Sequence, residues 1–186
     1  GIGMNALQAV VHGRRLELRP LGPDDVTESY VRWLNDPETV RFTEARHVTH
    51  TLESVRAYVA ACAAKGNDHL LGIFELAGGR HVGNIKIGPV NTHHQSASVG
   101  LIIGEKARWG RGYATEAIAL AARYSFTALG LHKLTAGVIE GNEGSLRAFE
   151  KNGFLVEGVR RRQNFCEGRF RDETMLGLLA EEWEHA

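Results

Sequence analysis

The chain has 186 residues, enough for one domain with a real hydrophobic core. Its 22 basic and 22 acidic residues cancel, which removes the whole-chain electrostatic case for a nucleic-acid or membrane-surface partner. No apolar run approaches the length of a membrane helix, and the first residues lack the basic-then-apolar pattern of a secretion signal. Cys62 and Cys166 are the only cysteines, and no Cys/His ligand cluster surrounds them. They read as two reduced thiols of a cytoplasmic protein, with no metal. Gly1-Ile2-Gly3 reads as an expression scar ahead of a native Met4, and residues 1–186 as a single domain.

In chain order, Arg15 to Arg19 alternates polar and apolar, as a half-buried strand does. Pro23-Asp24-Asp25 is expected to open a helix, with Asp24 as cap or first-turn acid, Val26, Tyr30, Trp33 and Leu34 on its apolar face, and Asn35-Asp36-Pro37 as its end. Val40 to His50, with Arg41, Phe42, Glu44, Arg46, His47 and His50, reads either as a polar surface loop or as a loop that contacts substrate. Thr51 caps a second helix that places Val55, Tyr58, Val59 and Cys62 on one face and ends near Lys65-Gly66. Strands are expected from His69 to Leu76 and from Val82 to Ile87, joined by an Ala77-Gly78-Gly79-Arg80 turn. Asn91 to Gln95 is a loop. Its neighbouring His93 and His94 point opposite ways if extended and read as solvated rather than as metal ligands.

Ser96 to Ile103 is the next strand, and it runs into the most informative junction of the chain. Trp109-Gly110-Arg111-Gly112-Tyr113-Ala114-Thr115 follows, and a helical run leaves it up to Leu129. Two glycines one residue apart let the backbone turn sharply and its amides approach a ligand. A helix starting near Gly112 offers unpaired N–H groups and a positive dipole end, a site for phosphate, with Arg108 and Arg111 adding charge. Taken alone the spacing also suits a turn that binds nothing, and it is neither a P-loop nor the three-glycine dinucleotide fingerprint. Lys133 to Ile139 is a strand. Asn142-Glu143-Gly144-Ser145 leads into a helix that reaches Lys151-Asn152, with Gly153 as its cap. Phe154 to Val159 and Phe170 to Leu179 are strands around a Glu167-Gly168 turn. The run Arg160-Arg161-Arg162 reads as a solvated strand edge or as a phosphate contact, and edge strands at this hairpin suggest a homodimer.

The order β-α-α-β-β-β-α-β-α-β-β, the Trp109 to Ala117 stretch, Asn142-x-x-Ser145 and Lys151-Asn152-Gly153-Phe154 together resemble the GNAT superfamily of acetyl-CoA-dependent N-acetyltransferases over essentially the whole chain. Leu18-Arg19-Pro20-Leu21 and Trp33-Leu34-Asn35-Asp36-Pro37 resemble its RimJ/RimL-like branch, which includes protein N-terminal, polyamine and amino-sugar acetylases. The resemblance implies an α/β fold with a mixed, V-shaped sheet whose central strands splay around acetyl-CoA. It implies that Ile102, Ile103 and Gly104 pair with the pantetheine arm. Amides of Trp109, Gly110, Arg111, Gly112, Tyr113, Ala114 and Thr115 would hold the pyrophosphate, and Asn142 would hydrogen-bond the cofactor. Two positions depart from the family pattern: Trp109 stands where many members have Gln or Arg, and Phe149 where many have the tyrosine that protonates the leaving thiolate.

Ser145 either takes over that contact to the sulfur or caps its helix. An alkylammonium has a pKa of about 10, so the attacking amine needs a proton acceptor. Glu140 is the first candidate and Glu44 the second; Glu140 also reads as a solvated turn residue. The expected activity is acetyl transfer by direct attack of a primary amine of a small molecule, such as an amino sugar or a polyamine. The alternatives are a protein N-terminus as acceptor, and a non-catalytic acyl-CoA-binding sensor.

Overall fold

The computed structural model describes residues 11–184. It holds one eight-stranded mixed sheet in the order β1-β2-β3-β4-β5-β6-β8-β7, with five helices. The strands are β1 (Val11–His12), β2 (Leu16–Pro20), β3 (His69–Glu75), β4 (His81–Ile87), β5 (Ser96–Ile103), β6 (Lys133–Ile139), β7 (Leu155–Cys166) and β8 (Arg169–Leu179). The helices are α1 (Glu28–Asn35), α2 (Leu52–Lys65), α3 (Tyr113–Thr127), α4 (Glu143–Lys151) and α5 (Ala180–Glu184). Every neighbouring pair is antiparallel except β5 and β6.

Alternation along the strands sorts residues to two faces. Leu16 and Leu18 of β2, Ile85 and Ile87 of β4, and Ala97 and Val99 of β5 pack with Ala117, Ile118 and Ala121 of α3 in the larger core. On the opposite face α1 and α2 form a second cluster, with Tyr30, Trp33, Val55, Val59 and Cys62 against Leu70. Both cysteines are free and buried. No helix among the described residues is long and apolar enough to cross a membrane.

Several boundaries differ from expectation. Pro23–Asp25 forms only one tight helical turn, closed by the Asp25 carboxylate accepting from Gly22 N at 2.6 Å. Val26 is then extended and buried, and Thr27 rather than Asp24 caps α1, accepting from Tyr30 N. Thr51 caps α2 as expected, in a reciprocal box with Ser54, and Gly66 ends the helix at φ 75°. Strand β7 continues through Arg160-Arg161-Arg162 to Cys166, so the basic run lies on a solvated edge strand. β1 and α5 have no counterpart in the sequence reading.

Candidate active site

β5 and β6 pair through only three positions, Ser96 with Lys133, Ala97 with Leu134 and Ser98 with Thr135. Beyond these they part. From Val99 to Ile103, β5 stays paired with β4 on its other side, and from Ala136 to Ile139, β6 stays paired with β8. Parallel strands that separate toward their carboxyl ends leave a crevice there, and the loops after both strands lead into helices with their N-termini at that end.

After β5 comes a short helical turn, Lys106–Arg108, then the glycine turn. Gly110 and Gly112 have φ 74° and 79°, a left-handed conformation that side chains resist, so glycine is needed at both. No atom lies within 4 Å of where a Cβ on Gly110 would stand. Gly112 caps α3, whose first internal bond runs from Glu116 N to Gly112 O. The amides of Tyr113, Ala114 and Thr115 come before that bond and face the helix end unpaired.

Residues that sequence reasoning did not single out brace this cradle. Glu116 accepts from the amides of Arg15 and Leu16 at 2.8 and 2.9 Å and from Arg15 Nε at 2.9 Å. Arg15 Nη1 donates to the Arg111 carbonyl at 2.8 Å. Glu75, at the end of β3, accepts from Arg108 Nε at 3.0 Å, Arg108 Nη2 at 3.1 Å and the Tyr113 hydroxyl at 2.6 Å. These bonds, led by those from Arg108, hold the Glu75 carboxyl below the usual carboxylate range. Arg108 is therefore a fixed brace whose charge is offset by Glu75, while Arg111 makes no ion pair among the described residues.

Gly104 also has a packing role. Its amide donates to Val82 O at 2.8 Å, and a Cβ would run into the Trp33 ring, so its glycine serves packing between the two faces of the sheet. The Ile103 carbonyl accepts from Trp109 Nε1 at 2.7 Å, which gives the departing Trp109 a structural reason.

On the β6 side, Asn142 caps α4 and accepts from Ser145 N at 3.4 Å. With the cap taken by Asn142, the half-buried Ser145 hydroxyl has no protein partner among the described residues. Phe149 is 2% exposed and edge-on to Phe154 at 5.0 Å, a core residue. Glu140 turns away from the crevice toward β8: its carboxylate accepts from Asp172 N and from Arg169 Nη2, each at 3.1 Å. Those two contacts lower its pKa, the Asp172 amide most. A carboxylate so engaged is a poor proton acceptor, which corrects its expected place as first candidate.

On the face opposite α3, between α1, α2, the 43–50 loop and strands β3 to β5, lies a cavity of about 830 Å³. Ser98, Gly100 and Ile102 of β5 form part of its floor, so it adjoins the crevice. Both Glu44 and His50 line it. His50 is pinned: Asn35 bonds its backbone N and O, each at 2.8 Å, and its Nε2 lies 2.9 Å from Ala45 O. A carbonyl only accepts, so Nε2 carries the hydrogen and the remaining lone pair of a neutral ring is on Nδ1. No group of three or more metal-ligating side chains occurs among the described residues.

The family model for the acetyltransferase (GNAT) domain matches residues 15–155. The chain belongs to the GNAT acetyltransferase family. Among relatives, this GNAT protein is 34% identical to YjcK of Bacillus subtilis over 116 residues, 62% of this chain and 64% of that protein. It is 31% identical to the spermidine N(1)-acetyltransferase of Escherichia coli over 105 residues, 56% of each. These matches thus span less than two thirds of either relative. Among solved structures, Mycobacterium smegmatis RimJ in complex with CoA-disulfide superposes at a TM-score of 0.82 with 26% identity, covering 95% of this chain and 90% of that one. A Vibrio cholerae spermidine N-acetyltransferase has the same fold, with a TM-score of 0.82 at 23% identity, over 91% of this chain and 98% of that one.

Proposed function

We propose that this GNAT protein transfers the acetyl group of acetyl-CoA to a primary amine. The observation that carries the reading is the β5–β6 crevice, with a glycine cradle at one end and a side-chain-lined cavity beside it. The residues fit CoA. First-turn amides of α3, open space at Gly110 and the unpaired Arg111 suit a pyrophosphate. The β5 backbone at Ile102 and Ile103 borders the crevice and would lie along the pantetheine arm, with Asn142 across from it. That some relatives are named spermidine acetyltransferases supports an amine acceptor.

The amine nitrogen attacks the thioester carbonyl, a C–N bond forms, the C–S bond breaks, and the products are an acetamide and free thiol. Starting from the ammonium, the nitrogen gives up two protons: in this reading His50 Nδ1 takes the first, in place of Glu140, and the second leaves as the amide forms. The departing sulfur gains one, with the Ser145 hydroxyl as its hydrogen-bond partner in place of the buried Phe149.

The test is acetyl-CoA turnover, read as released thiol, across amines, amino acids and short peptides. Amine-dependent release is expected, and a several-fold fall in turnover with Ser145→Ala. Tight acetyl-CoA binding with no release from any amine would support a sensor instead, and no acetyl-CoA binding would overturn the reading.

A further inference from the structure

The cavity beside β5, at about 830 Å³, is of a size that engulfs most of a small ligand. Its walls are apolar: Tyr30 and Leu34 from α1, Val48 from the loop, Val55 and Tyr58 from α2, and Leu70 from β3. Its charges are few. Glu44 is the only carboxylate among the lining residues, and it sits 3.1 Å from His47 Nε2 and 4.0 Å from Arg46 Nη1. Lys86, the only lining ammonium, is 3.5 Å from the buried Asp68. Three of the lining hydroxyls are engaged as well: Thr43 donates to Val40 O, Ser54 to Thr51 O, and Ser98 bonds Thr135, while those of Tyr30 and Thr49 have no protein partner among the described residues. Asn84 Oδ1 accepts from His81 Nε2 at 2.7 Å.

An attacking monoamine sheds its single charge before the C–N bond forms, so its body enters such a cavity neutral. A polyamine keeps at least one further ammonium, which would be stranded among apolar walls whose single carboxylate, Glu44, is 79% exposed and shared with His47 and Arg46. An amino sugar brings a ring of hydroxyls, more than the few free polar groups in these mostly apolar walls can pair. We infer that the acceptor is a small primary monoamine with an apolar aliphatic or aromatic body. This rests on the transferase reading above.

The experiment measures thiol release from acetyl-CoA with hexylamine, phenethylamine, spermidine, glucosamine and an N-terminal peptide. A kcat/KM for the better monoamine at least tenfold above every other acceptor is expected. Spermidine, glucosamine or the peptide matching it would overturn the inference. In parallel, the CoA-loaded protein is titrated calorimetrically with N-acetylphenethylamine and with N1-acetylspermidine. Preferential binding of the apolar acetamide without any turnover would uphold the cavity's selectivity while failing the transferase reading. No preference would overturn the inference whatever the turnover. Val48 is 63% exposed at the cavity lip, so Val48→Asp adds a carboxylate without touching the core. It should cut the monoamine-to-spermidine ratio at least tenfold, and an unchanged ratio would count against the inference.

Discussion

The two sides of the β5–β6 crevice are made of different material. On the α3 side the candidate contacts are backbone amides set by two left-handed glycines, with side chains such as Arg15, Glu75 and Glu116 serving as braces behind them. On the α1–α2 side the contacts are side chains drawn from two helices, a loop and three strands. A backbone cradle suits a ligand shared by a whole family, because it depends on chain conformation rather than residue identity. A side-chain cavity is free to vary, which is why selectivity between acceptors is proposed to lie there.

The largest effect should come where the two sides touch. Gly104, after β5, meets the buried Trp33 of α1, whose ring is itself 4.9 Å from His81 and 5.9 Å from Tyr30. Gly104→Val overpacks that contact and should cost about 3 kcal/mol. A urea unfolding series reads the loss, and an unchanged midpoint would show that the two faces are not locked together here. Next is His50→Gln. The glutamine amide still reaches Ala45 O but has no basic lone pair, so kcat should fall about a hundredfold. Acetyl-CoA affinity should stay the same, since His50 stands on the other side of the crevice. A parallel loss of both would erase the division of labour.

This division also explains what was legible in the sequence. The cradle lies in one short run from Trp109 to Thr115, where Gly spacing and a helix start speak together, and the cofactor-side helix cap at Asn142 lies in another. The fold was legible for a related reason: Leu16 and Leu18 alternate, and Thr51 and Gly66 bracket α2. The proposed acceptor cavity is spread more widely: the sequence pointed to its 40–50 loop, but its other residues, from Tyr30 to Ile102, meet only after folding, and no local pattern announces the pinning of His50 by Asn35 and Ala45. Glu140 misled because a strand-end acid is visible in sequence while its partner Arg169 lies across a hairpin.

A smaller change confined to the cradle is Gly112→Val. The left-handed φ of 79° costs a branched residue about 1–2 kcal/mol, and the α3 start must shift to relieve it. Acetyl-CoA affinity should fall about tenfold in an equilibrium titration, while the ratio of kcat/KM between two amines stays fixed. A changed amine ratio would mean that the cradle also sets acceptor choice.

The smallest effect concerns how the cradle is braced. Glu75 has its carboxyl held low by Arg108 and Tyr113, and its side chain is only 14% exposed. Because the folded value lies below the unfolded one of about 4.3, the contribution to stability is fully present above that pH. It is lost as pH falls through the folded value. Glu75→Gln imitates the protonated state, so it should cost about 1 kcal/mol at neutral pH. The gap between the variant and the unaltered protein should close in acid, as the native carboxyl takes up its proton. Unfolding midpoints at neutral and acidic pH measure this. A gap that persisted in acid would show that the brace works through shape and hydrogen bonding alone. The glutamine amide would then differ from the carboxylate by geometry rather than by charge.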